Sequence, residues 1–185
     1  GRHEAEVARD MAMNLLGNGL TAANYHEDAL TVKEAELAMR RRLGSSEQNV
    51  LVAQGNLANT YAQLGHYDET LRLQRDVYSG TLKLHGEENV QTLGAAFNCA
   101  NTLFGLNRFK ESKSVLRKTI PVARRALGDP HDLTLSMRSL YAQTLYKDDG
   151  ATLANLREAV TMLEDAERTT RRVLGGAHPN TSSIE

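Results

Sequence analysis

Three glycines set the period of this chain: Gly44, Gly86 and Gly128 stand 42 residues apart, closing the stretches Leu43-Gly44, Leu84-His85-Gly86 and Leu127-Gly128. A unit this short has no core of its own and folds only by stacking on its neighbours. The next Leu-Gly ends at Gly175, 47 residues after Gly128, so the last repeat is expected to carry five extra residues, in the polar loop text "KDDGATLAN". The repeats expected are 2–44, 45–86, 87–128 and 129–175 within a single repeat domain over 1–185. The tail "GGAHPNTSSIE" reads as the opening of a fifth repeat, which implies a parent chain that continues or a trimmed domain.

The 42-residue shift superposes Tyr25, Tyr67 and Phe109, each followed by a glutamate, Glu27, Glu69 or Glu111, with Leu156 and Glu158 in those places in the fourth repeat. Each repeat reads as a helix A ending before the aromatic and a helix B running from it to Leu-Gly. Helices are expected at 2–21, 25–42, 47–64, 67–84, 89–106, 109–126, 132–147 and 152–174. Leu57, Tyr61 and Leu64 form one apolar column, matched by Cys99, Leu103 and Leu106, by Leu15, Gly19 and Ala22, and by Tyr141, Ala142 and Leu145. Cys99 is therefore expected in the core. Asp148 replaces leucine at the fourth turn, so that helix A is expected to stop early.

The glycine after each helix B suits a left-handed cap, and Arg40 to Arg42, Arg124-Arg125 and Arg171-Arg172 fall in the preceding turn, where cations meet the helix dipole. Pro121 in "RKTIPVARRALG" removes a donor and opposes the carbonyl of Arg117, so a kink is expected. Four such hairpins in register bury a shared core. The expected fold is all-α, a right-handed superhelical solenoid of antiparallel helix hairpins.

A net charge of -1 offers no general attraction to nucleic acid or an anionic membrane, so neither is expected as a partner. The single cysteine provides no disulfide framework and suits a reducing compartment, from which a cytoplasmic location is expected. No apolar run reaches the length of a membrane span.

One feature is unusual for an exposed helix. Asn56, Asn59 and Gln63 fall within about 60° of one another, opposite Tyr61 and Leu64. Asparagine is a mediocre helix former, and exposed faces ordinarily fill with Lys, Glu and Arg. Shifting by 42 gives the columns Asn14, Asn56, Asn98, Leu140 and Gly17, Asn59, Asn101, Gln143. A carboxamide both donates and accepts, so a row of them can hold an extended peptide backbone whatever its side chains. The same amides could instead bond to neighbouring helices and fix repeat stacking. Phe97, Phe104 and Tyr146 are apolar contacts offered on the same side.

The stretch "NLANTYAQLGHYDE" resembles the tetratricopeptide repeat, and the 42-residue spacing, with "LGDPHDLTL" and "LGGAHPNT" between repeats, is similar to the kinesin-light-chain type. The usual Trp of helix A is replaced by Gln54, Ala96 and Arg138, and the small Ala of helix B by Asp28 and Thr70. The resemblance implies a non-catalytic scaffold whose A helices line a concave groove for a peptide segment, with asparagine ladders along it. Relatives that clamp chaperone C-termini carry a cation where this chain has Met13, Gly55, Phe97 and Ser139, so no such binding is expected. The alternatives are a structural or self-associating array whose ends stack on other copies, or the sensor arm of a nucleotide-driven switch protein.

No catalytic constellation emerges. "GNG" at Gly17 to Gly19 lacks the Lys and Ser or Thr of a phosphate loop, and the six histidines form no metal-ligand spacing. Glu87-Glu88 and Asp148-Asp149 fall in turns and read as solvated. No cofactor, no metal and no enzymatic activity are expected.

Overall fold

The computed structural model describes residues 2–148 and 150–174. Among them are eight α-helices and no strand: α1 Arg2–Ala22, α2 His26–Arg42, α3 Glu47–Gln63, α4 Tyr67–His85, α5 Val90–Gly105, α6 Phe109–Leu127, α7 Asp132–Lys147 and α8 Leu153–Leu174. Every boundary lies within one residue of the span expected from the sequence. The tail that reads as a fifth repeat lies outside the described residues. Two compact units divide the chain, Gly1–Leu84 and His85–Glu185.

Helices A and B of a repeat approach closely because each offers a small residue to the other. On the A helices these are Gly17, Ala58, Ala100 and Ala142, all buried; on the B helices Ala29, Thr70 and Ser112 are each 0% exposed. Ser112 Oγ donates across the seam to the Ala100 carbonyl at 2.8 Å, while Thr70 Oγ1 donates to the His66 carbonyl at 2.8 Å and lies 3.4 Å from that of Ala58, so both hydroxyls are satisfied. Around the seam of the first unit pack Leu37, Ala53, Leu57 and Leu73. The second unit fully buries Leu93, Leu103, Leu116, Met137 and Leu145, with Cys99 in the core as expected.

Backbone conformation corrects the repeat register. The A-to-B turns pass through a left-handed residue at Asn24, Gly65 and Asn107, intervals of 41 and 42, whereas the B-to-A turns pass through Gly44, Gly86 and Gly128, both intervals 42. The stretch from the A-to-B turn to the B-to-A turn is thus one residue shorter in the first repeat, and everything before the missing residue aligns with repeat two at a shift of 41. Leu16, Leu20 and Ala23 therefore match Leu57, Tyr61 and Leu64; the expected Leu15, Gly19 and Ala22 are all exposed. Tyr25 corresponds to His66, not to Tyr67. Ala29, not Asp28, holds the small position of helix B, so one departure from the repeat pattern disappears.

The start of each later A helix is capped by a side chain: Ser46 Oγ accepts from Asn49 N, Asn89 Oδ1 from Gln91 N and His131 Nδ1 from Leu133 N. Gly44 closes α2 with a positive φ of 63°, and the Ser45 N–H reaches back to the Arg40 carbonyl at 3.0 Å. The arginine runs serve the fold. Arg124 bonds Asp129 and holds its carboxyl below the usual range, Arg125 pairs with the exposed Glu87 and Glu88, and Arg171 pairs with Glu167.

Two expectations about the later repeats are revised. The helix before Asp148 does not stop early: α7 ends at Lys147, 42 residues after the end of α5 at Gly105. The five extra residues are shared, because the turn grows from three residues (106–108) to five (148–152) and α8 has 22 residues against 19 in α6. Helix α6 runs unbroken through Pro121, whose exposed position leaves the orphaned Arg117 carbonyl close to water.

Candidate functional site

The A helices bury one side and leave the other open. In the first unit, α2 holds α1 and α3 side by side through two long cations. Lys33 Nζ donates to Thr21 Oγ1 at 2.8 Å on α1 and to Thr60 Oγ1 at 3.0 Å on α3. Two turns on, Arg40 donates to Asp10 Oδ1 of α1 and to the Asn49 carbonyl of α3, both at 2.7 Å. Between them Glu36, 1% exposed, accepts from Arg40 at 2.7 Å and from Asn14 Nδ2 at 3.1 Å. Burial lowers the pKa of Lys33, and the neighbouring Glu36 opposes that shift. Nothing in the helical rhythm announced this network, which sets the spacing of the two open faces.

The open face of α3 carries Gln48, Val52, Asn56, Asn59 and Gln63. Asn59 and Gln63 are exposed and Asn56 half-buried. The open face of α5 carries Val90, Asn98 and Asn101, all exposed. Among the described residues the amides of Asn56, Asn59, Asn98 and Asn101 have no hydrogen-bond partner in the protein, which is what availability to a ligand requires. Gln143, half-buried on α7, donates to Ser139 Oγ of its own helix at 3.3 Å.

The corrected register moves the first repeat's contribution. Asn14, expected in the Asn56 column, turns inward to Glu36; Leu15 takes its place. Gly17 belongs with Ala58 and Ala100, and Asn18 takes its place in the second column. That column now reads Asn18, Asn59, Asn101, Gln143, a carboxamide in every repeat. Asn18 is exposed and donates to Asn14 Oδ1 at 3.2 Å. The signal was in the sequence: Asn24 and Asn107 stand where Gly65 does, and asparagine is the residue besides glycine that tolerates a left-handed turn. Asn14 likewise replaces Met13 at the chaperone-clamp position, still without a positive charge.

The apolar candidates are less uniform. Phe104 is half-buried, edge-on to Phe109 of α6 at 5.5 Å, with Lys147 Nζ 5.2 Å above its ring. Phe97 is half-buried and Tyr146 is 49% exposed. On α1 the same open face is apolar, with Val7, Met11 and Leu15 from 46% to 72% exposed.

On the opposite flank of α3, Tyr61 stacks on His66 at 5.8 Å and donates to Glu34, a bond that pushes its phenol up to about 12. Ultraviolet titration of Glu34→Gln is therefore expected to show one tyrosine returning toward its ordinary value of 10.0; an unchanged titration curve would contradict this bond.

Among the described residues no group of three or more His, Cys, Asp and Glu side chains is placed to hold a metal ion, and no helix is long and apolar enough to cross a membrane. The buried Gln54, Ala96 and Arg138 occupy the Trp position; Arg138 reaches Asp165 and the Met162 carbonyl of α8, which ties the last hairpin together.

Comparison with known proteins places these observations. Residues 49–125 and residues 151–180 match family models described as tetratricopeptide repeat. A 102-residue stretch is 28% identical to the Clustered mitochondria protein homolog of Candida albicans, covering 55% of this chain and 8% of that protein. Among solved structures, a single-substitution variant of nearly identical TPR-like repeats from a Podosopora anserina kinesin-light-chain-type protein superposes with a TM-score of 0.81 at 19% identity, over 94% of this chain and 80% of the other. BtubC (BKLC) from P. vanneervenii superposes with a TM-score of 0.75 at 14% identity, over 93% and 70%. At these identities the likeness is one of fold, that of TPR-like solenoids.

Proposed function

Because the chain belongs to the tetratricopeptide-repeat family, with repeats of the kinesin-light-chain-like type, we propose that it is a non-catalytic protein-interaction scaffold that holds an extended peptide or disordered segment on the open face of its A helices. The observation that carries this reading is the column Asn18, Asn59, Asn101, Gln143, a carboxamide in every repeat, whose three asparagines are poor helix formers placed on exposed faces. Both hydrogen-bonding groups of each amide suit a peptide backbone, while Phe97, Phe104 and Tyr146, and Val7, Met11 and Leu15 on α1, offer apolar contact. The proposal includes a cytoplasmic location, supported by the one cysteine, which is buried.

Selection from a random peptide library tests the reading. Recovered binders are expected to move the side-chain amide NMR signals of Asn59 and Asn101. Binders that leave those signals in place would contradict it.

A second reading is favoured by one observation. Leu16 is 53% exposed on α1, at the position where α3 buries Leu57 and α5 buries Cys99. A second copy stacking there would cover it. Molecular mass that rises with concentration, and ceases to rise in Leu16→Glu, is the expected signature of that reading; a constant monomer mass contradicts it.

A further inference from the structure

The cations of α6 fall into two sets. Arg124 and Arg125 are paired with Asp129 and with Glu87 and Glu88, and Arg108 at the N-cap is paired with Glu111. Lys110, Lys113, Arg117 and Lys118 have no carboxylate partner among the described residues. At 100° per residue the four fall within about 140° of the helix circumference, over little more than two turns. With Ser114 they line a surface groove of about 520 Å³. Lys110 also borders a hollow of about 670 Å³ that adds Lys147. Among the described residues two carboxylates line that hollow, Glu111 paired with Arg108 and Asp148 accepting from the Gly150 backbone N–H at 3.2 Å.

A chain of net charge -1 that gathers like charges without counter-ions maintains a local repulsion that a bound anion relieves. The length matches a short peptide: the eight helical steps from Lys110 to Lys118 rise about 12 Å, the span of three to four extended residues. The net charge of -1 gives the chain no long-range attraction to nucleic acid or an anionic membrane, which leaves a short acidic segment as the occupant that the local cluster fits. We propose that the exposed face of α6 is a docking site for an acidic protein segment, separate from the asparagine-bearing faces of the A helices and independent of their role.

Fluorescence anisotropy on the whole chain, with labelled hexaglutamate and hexaglutamine peptides as probes, tests this. Hexaglutamate is expected to bind at least about tenfold tighter than hexaglutamine and to weaken as salt is raised. The charge reversal Lys113→Glu/Arg117→Glu/Lys118→Glu should abolish that preference with an unchanged helical signal. If the reversal impairs folding, the neutral triple Lys113→Gln/Arg117→Gln/Lys118→Gln carries the same test. Asn59→Ala/Asn101→Ala should bind hexaglutamate as the parent does, whatever its effect on other peptides. Equal binding of the two probes, or a preference that survives the triple substitution, overturns the site. Loss of hexaglutamate binding in the asparagine variant moves it to the A-helix face. Tighter binding of an RNA oligonucleotide or of phosphatidylserine vesicles than of hexaglutamate also overturns the acidic-segment assignment.

Discussion

Replacing Glu36 with leucine is expected to destabilise the N-terminal unit by about 3–5 kcal/mol, the range for removing one member of a buried ion pair. Glu36 is 1% exposed and faces Arg40, itself 8% exposed, and Lys33, 4% exposed. Without it Arg40 keeps only Asp10, Lys33 loses the carboxylate that favours its charged form, and Asn14 loses its acceptor. Lys33→Met should behave in the opposite way, within about 1 kcal/mol of the parent or above it, since a buried charge is exchanged for an apolar chain of similar length. The hydroxyls it leaves behind already donate to backbone carbonyls, Thr21 to Gly17 at 2.8 Å and Thr60 to Asn56 at 3.3 Å. Urea unfolding of the two variants checks this. Similar losses in both would show that the network is not organised around Glu36.

The second large effect separates two leucines that a constant 42-residue shift makes equivalent. Leu57→Ala is expected to cost about 2–5 kcal/mol, because the side chain is 4% exposed and packs into the cluster of Leu37, Ala53 and Leu73. Leu15→Ala should change stability by less than about 0.5 kcal/mol, because Leu15 is 72% exposed. Thermal unfolding monitored at 222 nm checks both. A comparable loss for Leu15→Ala would restore the 42-residue alignment of the first repeat.

These two cases mark where sequence reasoning reached and where it stopped. The glycines after each helix B, the apolar columns and the turn residues placed all eight helices, since each is a local signal. The shortened first helix B escaped because Asn24 occupies the turn where Gly65 marks the next repeat, and a single period was carried across the break. Lys33, Glu36 and Arg40 escaped for a different reason. On α2 alone they read as a solvated charged stripe; they are buried only because α1 and α3 close over them, a tertiary arrangement that no single-helix pattern contains. The candidate site was legible in its central members, Asn56, Asn59, Asn98 and Asn101. Asn18 was missed through the same one-residue shift.

The central claim is that the carboxamide column serves a ligand and not the fold. The direct measurement is Asn59→Ala/Asn101→Ala beside the parent chain, with thermal unfolding and capture of library-selected peptides recorded on the same preparations. Each lost amide should weaken capture by about 0.5–1.5 kcal/mol, while stability is held or slightly raised by the better helix propensity of alanine. A lowered melting temperature with undiminished capture would contradict the claim and assign these residues to repeat stacking.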